Sequence, residues 1–207
     1  MNAEPIVHIV DDEAPLRSAL ALLARSVQLK AQTYASAAEF LEAWRPGAPG
    51  CLVLDVRMPG MSGIDLLERL RDVAGTLPAI VMTGHGDVST AVRAMRAGAI
   101  DFIEKPFQDQ PLLDLIHEGI RRSIDASAQG AARATARARI GSLTPREREV
   151  LVFLVEGTLN KVIADRLDIS PRTVEQHRSH IMEKTGARSL SELVRMALKA
   201  EAGGAAS

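Results

Sequence analysis

Five short strand-like segments, most of them apolar, alternate with amphipathic helical stretches through the first 120 residues of this chain. The strand-like segments lie near residues 6–10, 30–34, 51–55, 79–83 and 101–104. The amphipathic stretches lie near residues 14–27, 37–43, 62–71, 87–97 and 110–126. Strands separated by helices are joined by right-handed crossovers, which makes them parallel and covers both faces of the sheet. The pattern therefore predicts an α/β doubly wound, five-stranded parallel sheet.

Polar side chains stand at the downstream ends of four of these segments, at the point where each predicted strand ends. They are Asp11 and Asp12, Asp55, Thr83 and Lys105. Ligands of open α/β sheets bind outside the carboxyl ends of the strands, so we expect these groups to line one crevice. Each of the acids alone could be a helix cap or a turn residue. Four polar positions at corresponding strand ends favour a shared site instead.

The chemistry of this predicted crevice suits a divalent cation and a phosphoryl group. Clustered carboxylates are the hard oxygen ligands that Mg²⁺ prefers. An ammonium and a hydroxyl can meet the remaining charge on phosphoryl oxygens, and these would come from Lys105 and Thr83. Asp55 is then the expected nucleophile, because carboxylate attack that gives an aspartyl-phosphate is a known form of covalent catalysis.

Charge is unevenly distributed, although the formal net charge is only -1. The first 120 residues carry an excess of acid, whereas residues 121–140 carry five arginines against one aspartate. This basic segment is rich in Ala and Arg and contains almost no large apolar residue that could anchor it to a core. We interpret it as a linker, either a flexible tether or a helical extension of the fifth helix.

After Gly141 the periodicity becomes purely helical and predicts four short helices. Thr144 and Glu147 surround Pro145 in the pattern of a capping box, which starts the first helix. The helices are expected from Pro145 to Gly157, over residues 160–167, from Ser170-Pro171 to Gly186, and along the apolar stripe Leu190, Leu193, Val194 and Ala197. This part of the chain is therefore an all-α domain.

The segments Val10–Glu13, Asp55–Gly63, Met82–Gly84 and Lys105–Phe107 resemble the flavodoxin-like receiver domain of two-component response regulators. The resemblance covers residues 1–122. It implies that a sensor histidine kinase phosphorylates Asp55 and that Thr83 and Lys105 hold the phosphoryl group. It also implies a Mg²⁺ site formed by Asp11, Asp12, Asp55 and the backbone carbonyl of Arg57.

The same resemblance implies a conformational switch and a cis peptide bond between Lys105 and Pro106. In the switch, the Thr83 hydroxyl moves toward the phosphate and an aromatic residue of the fifth strand turns inward. Phe102 stands at that position, where many relatives carry tyrosine. A core position for Phe102 in both states is the alternative.

The segments Leu143–Leu151, Asn160–Ala164 and Thr173–His177 resemble the LuxR-type helix-turn-helix output domain. With a receiver ahead of it, the whole chain is similar to FixJ-like transcriptional regulators. The expected domains are a receiver at residues 1–122, a linker at 123–141 and a four-helix helix-turn-helix domain at 142–202.

The faces of the third helix of this domain follow from a period of 3.6 residues, with Val174 and Ile181 taken as inward. The opposite face should meet double-stranded DNA. Candidates for reading bases are Gln176, Glu175 and Ser179. Candidates for binding phosphates are Lys161, Arg172, Thr173, Arg178 and Lys184.

Together these patterns predict a transcription factor, not an enzyme, that forms a homodimer when it is phosphorylated and acts with RNA polymerase. The last helix, around Leu190–Leu198, is expected to form the dimer contact of the output domain. Two alternatives remain: a Mg²⁺ phosphatase for small phosphate esters, and a DNA-binding protein with a constitutively dimeric receiver. No segment approaches the ~20 apolar residues of a membrane span and no N-terminal signal pattern is present, so a cytoplasmic location is expected.

Overall fold

The structure is a computed structural model that describes residues 4–71, 77–84 and 88–201. The chain divides into two compact units, Met1–Ala128 and Gln129–Ser207. Each unit has its own apolar core, as expected for independently built domains.

The first unit alternates strands with helices. Its elements are β1 (Ile6–Val10), α1 (Ala14–Ser26), β2 (Lys30–Tyr34), α2 (Ala37–Ala43), β3 (Gly50–Asp55), α3 (Gly63–Arg71), β4 (Ala79–Thr83), α4 (Val88–Arg96), β5 (Asp101–Glu104) and the first part of α5 (Asp109–Gly141). All paired strands are parallel, in the order β2-β1-β3-β4-β5. The predicted doubly wound five-stranded sheet is confirmed.

Apolar clusters cover both faces of this sheet. Leu52 and Leu54 of β3 belong to the cluster that includes residues of α2, α3 and α4. Val53, the residue between them, belongs to the cluster that includes residues of α1 and α5. Successive side chains of a strand point to opposite faces, so a central strand covered on both sides must be apolar throughout. This explains the short uninterrupted apolar runs of β3 and β4.

The strand order places the ends of β1, β3 and β4 side by side. Asp55 is in register with Met82, and Thr83 with Glu104. The backbone N–H of Lys105 donates to the carbonyl of Thr83 at 2.7 Å, which ties the loop after β5 to the end of β4. The Lys105–Pro106 peptide bond is cis, as the resemblance implied.

The second unit is helical. It contains the last part of α5, then α6 (Pro145–Val155), α7 (Asn160–Leu167), α8 (Pro171–Thr185) and α9 (Leu190–Glu201). Thr144 and Glu147 form the predicted capping box, and the Ser170 hydroxyl caps α8 by accepting from Thr173 N–H. Gly186, with φ of 68°, ends α8 in the left-handed conformation that glycine adopts without strain.

The segment interpreted as a linker is helical, and its end is packed. Ala136 is buried, and Ile140 packs against the core that α6–α9 share. The sequence predicted no such anchor, because Ile140 is an isolated large apolar residue and Ala136 is small. A small side chain such as Ala136 gives a weak pattern but allows two helices to approach closely, so it contributes to close packing.

Candidate functional site

Four polar groups meet at the carboxyl edge of the sheet in the first unit. Asp55 ends β3, Asp11 follows β1, Thr83 ends β4 and Lys105 follows β5. The side chains of Asp11, Asp55 and Thr83 are buried, whereas Lys105 reaches them from the more exposed rim. Four residues that are remote in sequence are thus brought to neighbouring strand ends, as the strand pattern predicted.

Lys105 joins the two buried carboxylates. Its Nζ lies 2.9 Å from Asp11 Oδ2 and 2.6 Å from Asp55 Oδ1. The second oxygen of each carboxylate accepts a backbone N–H: Asp11 Oδ1 from Glu13 at 2.8 Å, and Asp55 Oδ2 from Arg57 at 2.7 Å. Both carboxylates are therefore held in fixed orientations by bonds on either side.

The protonation equilibria of this cluster are perturbed. Burial raises the pKa of Asp55, and the nearby Asp11 carboxylate raises it further, while the hydrogen bond from Lys105 works in the opposite direction. Burial by itself would lower the pKa of Lys105, but its bonds to Asp55 and Asp11 raise the pKa above its ordinary value. One ammonium shared between two buried carboxylates leaves negative charge that a further cation would stabilise.

The donor set of the edge fits Mg²⁺, which binds proteins through one or two carboxylates and keeps water or phosphate oxygens as its other ligands. Asp11 and Asp55 supply that pair of carboxylates. Asp12 has an exposed side chain, and within residues 4–71, 77–84 and 88–201 no three His, Cys, Asp or Glu side chains gather closely enough to hold a metal ion. The ligand roles of Asp12 and of the Arg57 carbonyl stay predictions.

Phe102 lies on β5, in register with Val81, two residues before the register partner of Thr83. Its side chain is 42% exposed. Phe102 is thus an outward residue in this structure rather than part of the core. Whether it turns inward stays a prediction.

Arg17 of α1, which no sequence motif predicted, supports the acidic edge. Arg17 donates from Nη1 to the backbone carbonyl of Asp11 at 2.7 Å. The bond fixes the loop that carries Asp11 and Asp12. The acceptor is a backbone carbonyl in a loop, so no side-chain pattern in the sequence signals this bond.

In the second unit, α7 and α8 form a helix-turn-helix. Asp168, with φ of 51°, ends α7, and Ser170 and Pro171 begin α8 two residues later. Asn160 of α7 donates a hydrogen bond to the Glu175 carboxylate of α8. Val174 and Ile181, the assumed inward residues from which the faces of α8 follow, are fully buried against the other helices.

Most of the residues predicted to contact DNA have exposed side chains on α7 or α8. Exposed members are Lys161, Arg172, Glu175, Gln176, Ser179 and Lys184, and half-buried members are Thr173 and Arg178. Three of them already have side-chain partners within the unit: Glu175 bonds to Asn160, the Thr173 hydroxyl lies 2.8 Å from the Ser170 hydroxyl, and Lys184 Nζ bonds to both oxygens of Glu147 at 2.7 and 2.9 Å. Their roles in DNA binding stay predictions.

In the parts of the chain that the structure describes, no helix combines the length and apolar character needed to cross a membrane.

Comparison with known families and proteins assigns both units. Residues 7–117 match the response regulator receiver domain family, and residues 141–197 match the LuxR family of bacterial regulatory proteins. The transcriptional regulatory protein FixJ of Bradyrhizobium diazoefficiens is 44% identical over 200 residues, which cover 97% of this chain and 98% of FixJ. FixJ of Rhizobium meliloti is 48% identical over 192 residues, covering 93% and 94% of the two chains.

Solved structures show the same relationship. The response regulator StyR has a TM-score of 0.86 and 43% sequence identity, over 95% of this chain and all of StyR. Full-length FixJ from B. japonicum has a TM-score of 0.57 and 42% identity, over 97% and 98% of the two chains. The matched families are transcriptional regulators rather than enzymes. The chain therefore belongs to the FixJ-like response regulators, which regulate transcription in a phosphorylation-dependent way through a receiver domain and a LuxR-type DNA-binding domain.

Proposed function

We propose that Asp55 accepts a phosphoryl group from a sensor histidine kinase and that this modification controls dimerisation and DNA binding. One observation carries the proposal: Lys105 contacts both Asp55 and Asp11 at the edge of the sheet that also carries Thr83. A nucleophilic carboxylate, an ammonium and a hydroxyl at one edge of the sheet match the charges of a phosphoryl transfer.

In the transfer step, Asp55 Oδ1 attacks the phosphorus of a phosphohistidine. The O–P bond forms while the P–N bond breaks, and the electron pair of that bond leaves with the imidazole nitrogen of the kinase. Lys105 and the Thr83 hydroxyl then bind oxygens of the transferred group. Asp11, Asp12, Asp55 and the Arg57 carbonyl would hold Mg²⁺, which supplies further neutralisation of charge on these oxygens.

Phe102 is proposed to couple this chemistry to the surface of the receiver. A Thr83 hydroxyl that moves toward the phosphoryl group leaves space that the ring of Phe102 can occupy. Phe102 lacks the hydroxyl that tyrosine would bring, so burial of its exposed ring is the only driving force for the inward movement.

The output domain is proposed to read DNA through α8. Gln176, Glu175 and Ser179 are the base-reading candidates. Lys161, Arg172, Thr173, Arg178 and Lys184 are the phosphate-binding candidates. Support comes from the exposure of most of these side chains and from the buried opposite face of α8. Lys184 would have to keep or exchange its bond to Glu147 when it meets a phosphate.

Dimerisation of the output domain is proposed to use the outer stripe of α9. Leu190 and Leu198 are exposed, and Val194 between them is half-buried. Leu193, which the sequence placed in the same contact, is instead fully buried in the core. Substitution of Leu193 would unfold the domain, so Leu198 is the residue with which to test the contact.

The partners that follow are a sensor histidine kinase, double-stranded DNA, a second copy of the chain and RNA polymerase. A DNA target implies that the protein acts in the cytoplasm.

The experiment that tests the proposal treats the full chain with acetyl phosphate and Mg²⁺ and compares mass and oligomeric state. Wild type and the control variant Asp114→Asn, which changes an exposed aspartate on α5, should gain the mass of one phosphoryl group and form dimers. Asp55→Asn should do neither. No mass gain in wild type, or an equal gain in Asp55→Asn, would contradict the assignment, and dimers without acetyl phosphate would favour a constitutive receiver dimer.

A further inference from the structure

Two arginines near the end of α5 bond to carbonyls at the C-terminal ends of two helices of the second unit. Arg139 Nη1 donates to the carbonyl of Thr185 at 3.0 Å, and Arg137 Nε donates to the carbonyl of Ala200 at 3.0 Å. Thr185 is the last residue of α8, and Ala200 is the residue before the last of α9. The final carbonyls of a helix have no intrahelical donor and form the negative end of its dipole, so a guanidinium stabilises them in both respects.

Apolar packing supports the same part of α5. Ala136 is buried, and Ile140 packs against the core of α6–α9. Arg139 also passes close to Gly186: its Nη1 lies 3.6 Å from the position that a Cβ on Gly186 would occupy. Residues 136–140 are therefore built into the second unit by side-chain packing and by charged hydrogen bonds.

The last turn of α8 is held from two sides. Lys184 bonds to Glu147 of α6, and the carbonyl of Thr185, a fully buried residue, bonds to Arg139 of α5. All of the base-reading candidates lie on α8, which is one continuous helix of 15 residues. Its tilt and axial position therefore depend on the residues that hold its end, together with the buried Val174 and Ile181 along its length.

We propose that Arg139 is a positioning residue for DNA recognition, which fixes the recognition helix α8 through the Thr185 carbonyl and does not itself contact DNA. This inference rests on the proposed role of α8 as the helix that reads bases. The usual interpretation of an arginine-rich segment is that each guanidinium binds a phosphate. The role proposed for Arg139 is different, because its guanidinium binds a helix of the same domain. Residues 136–140 then act as part of the output domain rather than as a connector.

The test uses the full chain after treatment with acetyl phosphate and Mg²⁺, and a duplex that the wild-type protein selects from a random-sequence DNA pool. Arg139→Met keeps the length of the side chain but removes its donors. Arg133→Met is the matched control, because Arg133 is an exposed arginine of the same helix. Affinity is measured over a range of salt concentrations, and amide exchange is measured along α8.

Arg139→Met should weaken binding about tenfold, the loss that corresponds to one charge-assisted hydrogen bond. The slope of log affinity against log salt should stay as in wild type, because no phosphate contact is lost. Amides of the last turn of α8 should exchange faster, Arg133→Met should show none of these changes, and Arg139→Lys should restore most of the affinity.

Three outcomes would overturn the inference. A salt slope lower by about 0.9 would identify Arg139 as a phosphate contact. If Arg139→Met has the same DNA affinity and amide exchange as Arg133→Met, Arg139 has no positioning role. If Arg139→Met loses the unfolding transition of the output domain altogether, Arg139 is required for folding in general. If wild type selects no duplex, the proposed function fails, while the exchange of α8 amides still decides whether Arg139 holds this helix.

Discussion

Glu147 of the output domain carries a buried carboxylate with several hydrogen bonds, and its replacement by glutamine gives a quantitative prediction. Its carboxylate accepts two bonds from Lys184 Nζ and one from the Thr144 backbone N–H at 2.8 Å. Only 3% of the residue is exposed. Glu147→Gln keeps the shape and the capping bond but removes the charge that Lys184 meets, so the output domain should be less stable.

The magnitude follows from the pKa. The bond to Lys184 and then the bond from Thr144 lower the pKa of Glu147 from its ordinary value of 4.5 to about 2. A change of this size corresponds to about 3 kcal/mol of stability when the carboxylate is ionised. Lys184 is 38% exposed, so solvent screening reduces the expected loss in Glu147→Gln to about 1–2 kcal/mol.

The sign of the pH dependence is fixed by the same shift. Because the pKa is lower in the folded state than in the unfolded chain, the stabilisation is complete above about pH 5 and is lost as the pH falls toward 2. Wild type should therefore lose output-domain stability over this range. The free energy of unfolding of Glu147→Gln should be lower than that of wild type at neutral pH and should lack this pH-dependent contribution.

The assay exploits the single tryptophan of the chain, Trp44, which lies in the receiver core. Urea unfolding followed by Trp44 fluorescence reports the receiver, whereas circular dichroism also reports the helical output domain. Glu147→Gln should shift only the dichroism transition, and the control Glu149→Gln, which removes an exposed ion pair with Arg146, should shift neither. Equal shifts in Glu147→Gln and Glu149→Gln, or a pH dependence unchanged in Glu147→Gln, would refute the reasoning.

Three further predictions concern the receiver and the dimer contact. Lys105→Met should destabilise the receiver by about 3 kcal/mol because it leaves buried carboxylates unpaired, and Mg²⁺ should raise the fluorescence-detected midpoint more in this variant than in wild type. Gly63→Ala should destabilise the receiver by about 2 kcal/mol or more, since the new Cβ would lie 2.2 Å from the Asp55 carbonyl; an unchanged midpoint would contradict this. Leu198→Asp should weaken dimers of the phosphorylated chain in sedimentation, whereas Val152→Asp, at another exposed apolar position, should not.

Most of the fold could be predicted from the sequence because its signals are local. The alternation of β3 and β4 with helices has a strong period, and the cap residues Thr144 and Ser170 mark helix starts within a residue. The packed end of α5 could not be predicted in this way. Its anchors are Ala136 and two arginine-to-carbonyl bonds, and neither small side chains nor bonds between distant residues leave a periodic signal.

The candidate site could likewise be predicted only in part from the sequence. The positions of Asp55, Thr83 and Lys105 followed from strand ends, since parallel strands bring their carboxyl ends to one edge. The sequence could not reveal that Lys105 bridges Asp11 and Asp55 while Asp12 stays exposed, because that depends on side-chain orientation. It also missed the pairing of Lys184 with Glu147, which joins residues 37 positions apart.

Each domain contains a buried carboxylate bonded to a lysine that lowers its pKa, yet the net shifts of the two carboxylate pKa values have opposite directions. In the receiver, burial raises the pKa of Asp55 by more than the hydrogen bond from Lys105 lowers it, and the Lys105 ammonium is shared with Asp11. In the output domain, Lys184 bonds to Glu147 through both oxygens and Thr144 adds a backbone donor, so the pKa of Glu147 falls. A carboxylate with fully compensated charge stabilises a fold and has little tendency to react. Asp55, with incompletely compensated charge, is the one at which we propose that an additional cation and a phosphoryl group bind.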